Sequence, residues 1–250
     1  MTLAIMQPYL FPYIGYWQLI ANSDEFIFFD VVQYNKRSWM NRNRILHPDE
    51  NQEFQYITVP IQKIQQKGLI SDAVVNNTEK WKDKILGQLT YYKKIKAPHY
   101  EKTIDLLNQI FQKDFDSFLS LSIESTKVIC DYLDIDLKYK VASDIDFDRL
   151  EIEGPGDWAL SISKKLNASN YINPCSGYEI FDEDKYNANN IDIKFLKSNL
   201  TPYKQSRKKE FYASLSIIDI LMFNSKGDIQ RLLKNDFIKL AKKDLLEEVR

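Results

Sequence analysis

The sequence TLAIMQPYLFPYIGYWQLIA, residues 2–21, decides the fold because it joins a strand to a helix through a rigid turn. Its first five residues are apolar enough for a short buried strand. Pro8 and Pro12 then bracket an aromatic turn, since proline fixes φ and offers no backbone N–H to a central strand. Residues 14–21 are predicted to form a helix. A strand that enters a helix through such a turn is where α/β folds place ligand sites.

The rest of the chain extends this pattern into a sheet. Residues 25–32, EFIFFDVV, are almost continuously apolar, which is typical of a parallel strand covered on both faces. Together with the first strand and helix they predict a βαβ unit. Further strands are predicted at 54–61, 69–75, 137–141, 170–173 and 191–196. The sequence therefore predicts an α/β fold with a mixed or parallel sheet.

Two helical regions are expected outside this sheet. Apolar residues recur at helical spacing through residues 78–133, for example at Trp81, Ile85 and Leu89, and they predict a helical insertion over about that range. Residues 225–250 are rich in Lys, Asp, Glu and Leu and predict a helical C-terminal tail with a solvated polar face. No Gly- or Ser-rich linker is evident, so we expect a single domain over residues 1–250.

Composition excludes several functional classes. The 250 residues carry 34 basic and 35 acidic side chains, a net charge of −1, so no nucleic-acid partner is expected. Two cysteines cannot build a disulfide framework, and two histidines argue against zinc and multi-histidine centres, so no metal site is expected. No run approaches the ~18 apolar residues of a transmembrane segment. We expect a cytoplasmic protein, and the residues indicate no particular cofactor.

Polar residues gather where the second strand ends, the edge at which open α/β sheets bind ligands. The segment KRSWMNRNR, residues 36–44, holds four basic side chains interleaved with Trp39 and Asn41. Arginine offers paired planar donors to phosphate, so this segment is expected to reach the cleft and hold a diphosphate. Gln7 and the tyrosines of the turn are suited to sugar hydroxyls. The predicted substrate-binding residues are Gln7, Tyr9, Tyr13, Tyr16, Lys36, Trp39, Asn41, Arg42 and Arg44.

Few side chains could act as a catalytic base. Histidine is the residue type best suited to proton transfer near neutral pH, and His99 follows Pro98 at a predicted helix start. Asp30 ends the second strand. These two are the candidate catalytic residues. Cys175 could carry an acyl group, although a buried thiol is the favoured interpretation. Asp219 lies on an apolar helix and needs a partner, for which an arginine of the polar segment is the first expectation.

Three segments carry a resemblance to a known family. They are MQPYLFPYIGYWQLI (6–20), FDVVQYNKRSWMNRNRI (29–45) and LSIIDILMFN (215–224), and they resemble the WbqC-like family of bacterial surface-polysaccharide gene clusters. The resemblance runs from Leu3 to about Asn224. It implies a transferase of O-antigen or lipopolysaccharide biosynthesis, with glycine (aminoacyl) transfer as the suggested activity. The acceptor would be the amine of a nucleotide- or lipid-linked amino sugar.

The acyl donor and the reaction itself stay open. The donor could be an adenylate, a carrier-protein thioester or another activated amino acid. Tyr13-Ile14-Gly15-Tyr16 also resembles the His-x-Gly-His frame of nucleotidylyltransferases, with tyrosine at both histidine positions. Phenols are poorer partners than histidine for a transferring phosphate. The alternatives are a degenerate nucleotidylyltransferase and a non-catalytic accessory protein that binds glycans or nucleotide sugars.

Overall fold

The computed structural model describes residues 1–36, 38–65, 67–150, 152–205 and 210–248. Arg37, from the basic segment, lies outside these ranges. The strands are β1 (Thr2–Met6), β2 (Glu25–Phe28), β3 (Arg42–Leu46), β4 (Phe54–Thr58), β5 (Tyr139–Val141), β6 (Asn170–Pro174), β7 (Asp192–Ser198) and β8 (Phe237–Leu240). The helices are α1 (Ile14–Ala21), α2 (Trp81–Lys94), α3 (Tyr100–Phe111), α4 (Phe118–Leu133), α5 (Asp157–Lys165), α6 (Glu183–Ala188), α7 (Ile217–Phe223), α8 (Lys226–Asn235) and α9 (Lys242–Glu248).

The central sheet confirms the predicted α/β class. Its strand order is β5-β2-β1-β6-β7-β8, and every neighbouring pair is parallel except β7 with β8. β1 and β6 lie in the middle, where Leu3 is in register with both Glu25 and Tyr171. β3 and β4 form a separate antiparallel hairpin.

Alternate residues of the strands divide the core into two layers, as the period of two along a strand requires. Ala4 and Phe26 face a large layer that includes α1, the helices α2–α4 and the hairpin. Leu3 and Ile27 face a smaller layer that includes α5 and α6. The apolar strands predicted from the sequence are therefore covered on both faces.

The predicted helical regions are also confirmed, with differences of detail. Helices α2–α4 form the insertion, and α8 and α9 form the C-terminal tail. The tail also contributes β8 to the sheet edge, which its charged composition does not reveal. The strand expected at 69–75 is instead a short 3-10 turn over Ile70–Asp72, because the Asp72 carboxylate accepts the backbone N–H of Leu69 at 2.8 Å and closes the chain on itself.

The turn after β1 depends on a buried asparagine of the hairpin. Phe11 has a left-handed backbone with φ of 41°, which leaves neighbouring carbonyls pointing away from regular structure. Nδ2 of Asn43 donates to the carbonyls of Leu10 and Phe11 at 3.0 and 2.8 Å. The Asn43 Oδ1 accepts the N–H of Arg44 at 2.8 Å. One amide thus fixes the turn against the hairpin.

The second half of the turn is held by α7 and by its own helix. The hydroxyl of Ser216 donates to the Phe11 carbonyl at 2.7 Å, and the N–H of Ile217 donates to the Pro12 carbonyl at 2.9 Å. The indole of Trp17 donates to the same Pro12 carbonyl at 3.0 Å. Residues 205 positions apart in sequence therefore meet at this turn.

Asp219 forms a second buried junction, without the arginine that the sequence suggested. Among the described residues its carboxylate accepts hydrogen bonds from the hydroxyls of Tyr92 and Tyr203, both at 2.6 Å, and from Nε2 of Gln205 at 2.9 Å. The Tyr92 hydroxyl also accepts the N–H of Leu46 at the end of β3. Burial raises the pKa of the Asp219 carboxyl from 3.8 to about 6, and the three donors limit the rise.

We predict that Asn43→Asp destabilises the protein although it preserves size. The variant loses both donors to the turn and places a carboxylate against two carbonyls. The Leu10 carbonyl is left without its donor, which costs about 1–3 kcal/mol of unfolding free energy, whereas the Phe11 carbonyl keeps the Ser216 hydroxyl. Urea denaturation measures the change. Asn187→Asp, on an exposed position of α6, is the matched control and is expected to stay within about 0.5 kcal/mol. Equal effects of the two substitutions would contradict the role of Asn43.

We also predict a pH dependence that originates at Asp219. Its pKa is higher in the native state than the ordinary 3.8, so the native protein binds the extra proton. The stabilising contribution is therefore complete below about pH 4 and is lost as the pH rises through about 6, a fall of about 3 kcal/mol. Free energies of unfolding from pH 4 to pH 7 should fall less in Asp219→Asn. Parallel pH profiles for the two proteins would refute this assignment.

Candidate functional site

The strand order makes the carboxyl ends of β1 and β6 the candidate position of a ligand crevice. From β1 the chain builds the sheet outward through β2 and β5, and β6 then starts the opposite half on the other side of β1. Open α/β sheets bind ligands outside the carboxyl ends of the strands at such a reversal. Gln7 follows β1 directly, and the free, half-buried Cys175 follows β6. These two residues therefore mark the crevice.

A large open cleft adjoins Gln7, with a volume of about 880 Å³. Three of its lining side chains are lysines, several are amides or hydroxyls, and none of the described ones is a carboxylate. The cleft therefore presents positive charge and hydrogen-bond donors to an anion. The residues that line it are Gln7, Gln33, Tyr34, Asn35, Lys36, Ser38, Met40, Lys63, Ile64, Gln65 and Lys67.

Gln7 is held in place by two tyrosines of the turn. The Tyr9 hydroxyl donates to Gln7 Oε1 at 3.2 Å, and the Tyr16 hydroxyl donates to the Gln7 carbonyl at 3.1 Å. Burial raises the pKa of both phenols, so each remains a donor at neutral pH. Tyr16 is only 1% exposed. Tyr16 therefore supports the backbone of Gln7 from within the core, and it is too buried to bind substrate as the sequence predicted.

Tyr13 ends the turn and is the N-cap residue of α1. A Cβ added to Gly15 would come within 2.6 Å of the Tyr13 ring, so this glycine makes room for the phenol. Burial raises the pKa of Tyr13, and the neighbouring Cys175 and Tyr9 add to the shift.

The basic segment folds into a stack of rings and guanidinium groups on the hairpin. The Arg44 Cζ lies 4.9 Å from the Trp39 ring centroid and 5.0 Å from that of Phe54. The Arg42 Cζ lies 4.9 Å from the Tyr56 centroid and 5.8 Å from that of Trp39. We call these five residues the aromatic–arginine stack. Trp39 is 43% exposed, so it lies on the surface of the protein and outside the core.

The other residues of the segment divide between the cleft and the hairpin. Lys36 lines the cleft. Burial raises the pKa of the cleft-lining Tyr34 to about 12, and the charge of Arg42 opposes that rise. Arg44 donates to the Ser214 carbonyl at 3.1 Å, and neither arginine is among the cleft-lining residues. Asn41 donates to the Val59 carbonyl at 2.8 Å, which joins the segment to β4.

The two candidate bases lie in different places. Asp30 is fully buried beyond the end of β2, where its Oδ1 accepts the N–H of Ser143 at 3.0 Å and its Oδ2 has no partner among the described residues. His99 precedes α3, and its N–H donates to the Met222 carbonyl on α7 at 3.0 Å. The Ser225 hydroxyl donates to Asp228 on α8 and lowers the pKa of that carboxyl, and Arg231 and His99 lower it further. The structure therefore does not bring His99 together with the residues of the cleft.

Lys63 and Lys67 are the site residues that the sequence did not single out. They lie in IQKIQQKG, residues 61–68, which follows the hairpin and returns beside the segment after β2. The Tyr34 N–H donates to the Gly68 carbonyl at 2.9 Å, and this bond brings the two segments together. In the sequence, the only sign of these two site residues is a short polar stretch that contains two lysines. The fold is what places this stretch in the same cleft as Lys36.

Two features are absent from the described residues. No helix there has both the length and the apolar character needed to cross a bilayer. No group of three or more His, Cys, Asp or Glu side chains there is arranged to hold a metal ion.

Comparison with known proteins places the chain in a family. The model of the WbqC-like protein family matches residues 7–231. An uncharacterized protein of Mycobacterium tuberculosis, Rv1507c, is 30% identical over 223 residues, which cover 87% of this chain and 91% of the relative. No solved structure matches. The family match spans the turn, the cleft, the hairpin and α7, and the chain therefore belongs to the WbqC-like protein family.

Proposed function

We propose that the protein transfers an aminoacyl or related acyl group to the amine of an amino sugar during surface-polysaccharide (O-antigen) biosynthesis in the cytoplasm. The acceptor sugar would be carried on a diphosphate, linked to a nucleotide or a lipid. The observation that supports this best is the cleft beside Gln7, because it combines three lysines with amide groups and has no carboxylate among its described lining residues. Such a surface favours a phosphorylated polar ligand.

In this proposal the cleft holds the acceptor and the turn orients it. Lys36, Lys63 and Lys67 bind the phosphate oxygens. Tyr9 occupies Gln7 Oε1 and leaves the amide NH₂ of Gln7 to donate to the sugar. Tyr13 begins α1 beside the turn, and its phenol is available to donate to the acceptor. Arg42 adds positive charge near Tyr34.

The transfer step needs an activated acyl donor, a thioester or an adenylate, and a group that accepts a proton. The sugar amine attacks the acyl carbon, a C–N bond forms, and the thiolate or phosphate leaves with its electron pair. Of the two candidate bases, Asp30 follows β2 at the carboxyl edge of the sheet, whereas His99 lies among α3, α7 and α8. We therefore assign the amine proton to Oδ2 of Asp30, and because this carboxylate is fully buried, the assignment requires that acceptor binding uncovers it.

A non-catalytic accessory protein is the second candidate. It is favoured by one observation: the described lining residues of the cleft include no histidine, carboxylate or cysteine. Such a protein would bind the same phosphorylated sugar and leave it unchanged.

We predict that three variants distinguish the residue needed for acyl transfer from the residue needed for acceptor binding. Asp30→Asn should lower the rate of product formation by about 10²–10⁴-fold with little change in acceptor Kd. Lys63→Ala should weaken acceptor binding by about 1.5–3 kcal/mol, because it removes a charge-assisted phosphate contact. His99→Ala should leave both unchanged. Product mass spectrometry with thioester and adenylate donors, together with calorimetry, measures the two effects.

The matched control for Lys63 is Lys84→Ala, an exposed lysine on α2 away from the cleft. Binding of acceptor without product from any donor would reject acyl transfer in favour of the accessory protein. A loss of activity in His99→Ala but not in Asp30→Asn would reverse the assignment of the base.

A further inference from the structure

Trp39 stands out among the tryptophans of this protein. Trp17 and Trp81 are 1% and 3% exposed, whereas Trp39 is 43% exposed. Its neighbours in sequence, Ser38 and Met40, both line the cleft. Because consecutive Cα atoms are 3.8 Å apart, the Trp39 backbone borders the cleft, and its ring lies next to the cleft-lining residues rather than among them, at a position that we call the rim.

The ring is held rigidly, although it faces solvent. Its own stack supports it, since the Tyr56 centroid lies 5.9 Å away at an interplanar angle of 39° and the Arg44 guanidinium lies at 4.9 Å. The backbone on either side is also fixed. The Ser38 hydroxyl donates to the Asn35 carbonyl at 2.7 Å, and the Met40 carbonyl accepts the N–H of Leu10 at 2.7 Å. A ligand that stacked on this ring would lose little side-chain entropy on the protein's side.

Charge and aromatic surface together select the kind of ligand. The lysines of the cleft suit phosphates, and a preorganised indole at the rim suits a planar ring. We infer that Trp39 is the stacking platform for the aromatic base of a nucleoside diphosphate whose phosphates lie on the cleft lysines. This rests on the proposed function in placing the phosphates in the cleft. It goes further by making the acceptor nucleotide-linked, since a prenyl chain has no flat ring to stack.

Calorimetry with three probes tests the inference. The probes are nucleoside diphosphates with pyrimidine and purine bases, inorganic pyrophosphate, and a prenyl diphosphate in neutral-lipid vesicles. Trp39→Ala is expected to weaken nucleoside diphosphate binding by about 10- to 100-fold, the usual contribution of base–aromatic stacking. Pyrophosphate binding should change less than twofold. Trp39→Phe should restore most of the affinity for the nucleotide.

Two further variants serve as controls. Lys63→Ala should weaken binding of nucleotide and pyrophosphate alike, because it acts on the phosphates. Tyr139→Ala removes a ring that is 37% exposed on the edge strand β5 and should change neither. Nucleotide should also quench the intrinsic fluorescence of the wild type and quench it much less in Trp39→Phe.

The inference is overturned if no nucleoside diphosphate binds, or if Trp39→Ala leaves their binding unchanged. It is also overturned if Trp39→Ala weakens the binding of pyrophosphate as much as that of the nucleotide, or if only the binding of prenyl diphosphate depends on Trp39. Its failure differs from failure of the proposed function. Acylation of a lipid-linked sugar without nucleotide binding would retain acyl transfer and reject the stacking platform. Trp39-dependent nucleotide binding without any acyl product would do the reverse.

Discussion

The structure depends on how the carbonyl groups of the turn after β1 find their donors. Two prolines and a left-handed Phe11 take this segment out of regular structure, so its carbonyls cannot be satisfied by a helix or a sheet. Asn43, Ser216 and Ile217 supply the donors from the hairpin and from α7. A buried carbonyl without a donor is costly, and the hairpin and α7 are therefore fixed relative to the central strands.

The same constraint shapes the cleft. Once Asn43 is fixed against the turn, Arg42 and Arg44 project from the same strand, and their guanidinium groups pack with Trp39 and the rings of β4. The guanidinium group of each arginine is therefore packed against aromatic rings. The positive charge that lines the cleft comes from lysines. Recognition of an anion and rigidity of the rim are thus divided between two kinds of basic residue.

The sequence predicted the α/β class, the helical insertion and the tail, because the apolar periodicity of β1, β2 and α2–α4 is strong and local. It also placed Gln7 and Lys36 near the carboxyl edge of the sheet, where the cleft lies. It did not predict β3, whose polar RNRIL alternates too briefly to be distinguished from a loop. Lys63 and Lys67 could not be found for a similar reason. Their place opposite Lys36 is set by pairing between distant segments, which no local pattern encodes.

β1, the first of the described strands in chain order, lies in the middle of the sheet. β1 pairs on one side with β2, which follows within a few residues of α1, but its other neighbour, β6, begins only at Asn170. During translation one edge of β1 therefore stays open until most of the chain has emerged, and folding has to close long loops before this edge is covered. An apolar parallel strand in that condition can pair with other chains. The nascent protein is consequently most prone to aggregation before β6 has been made.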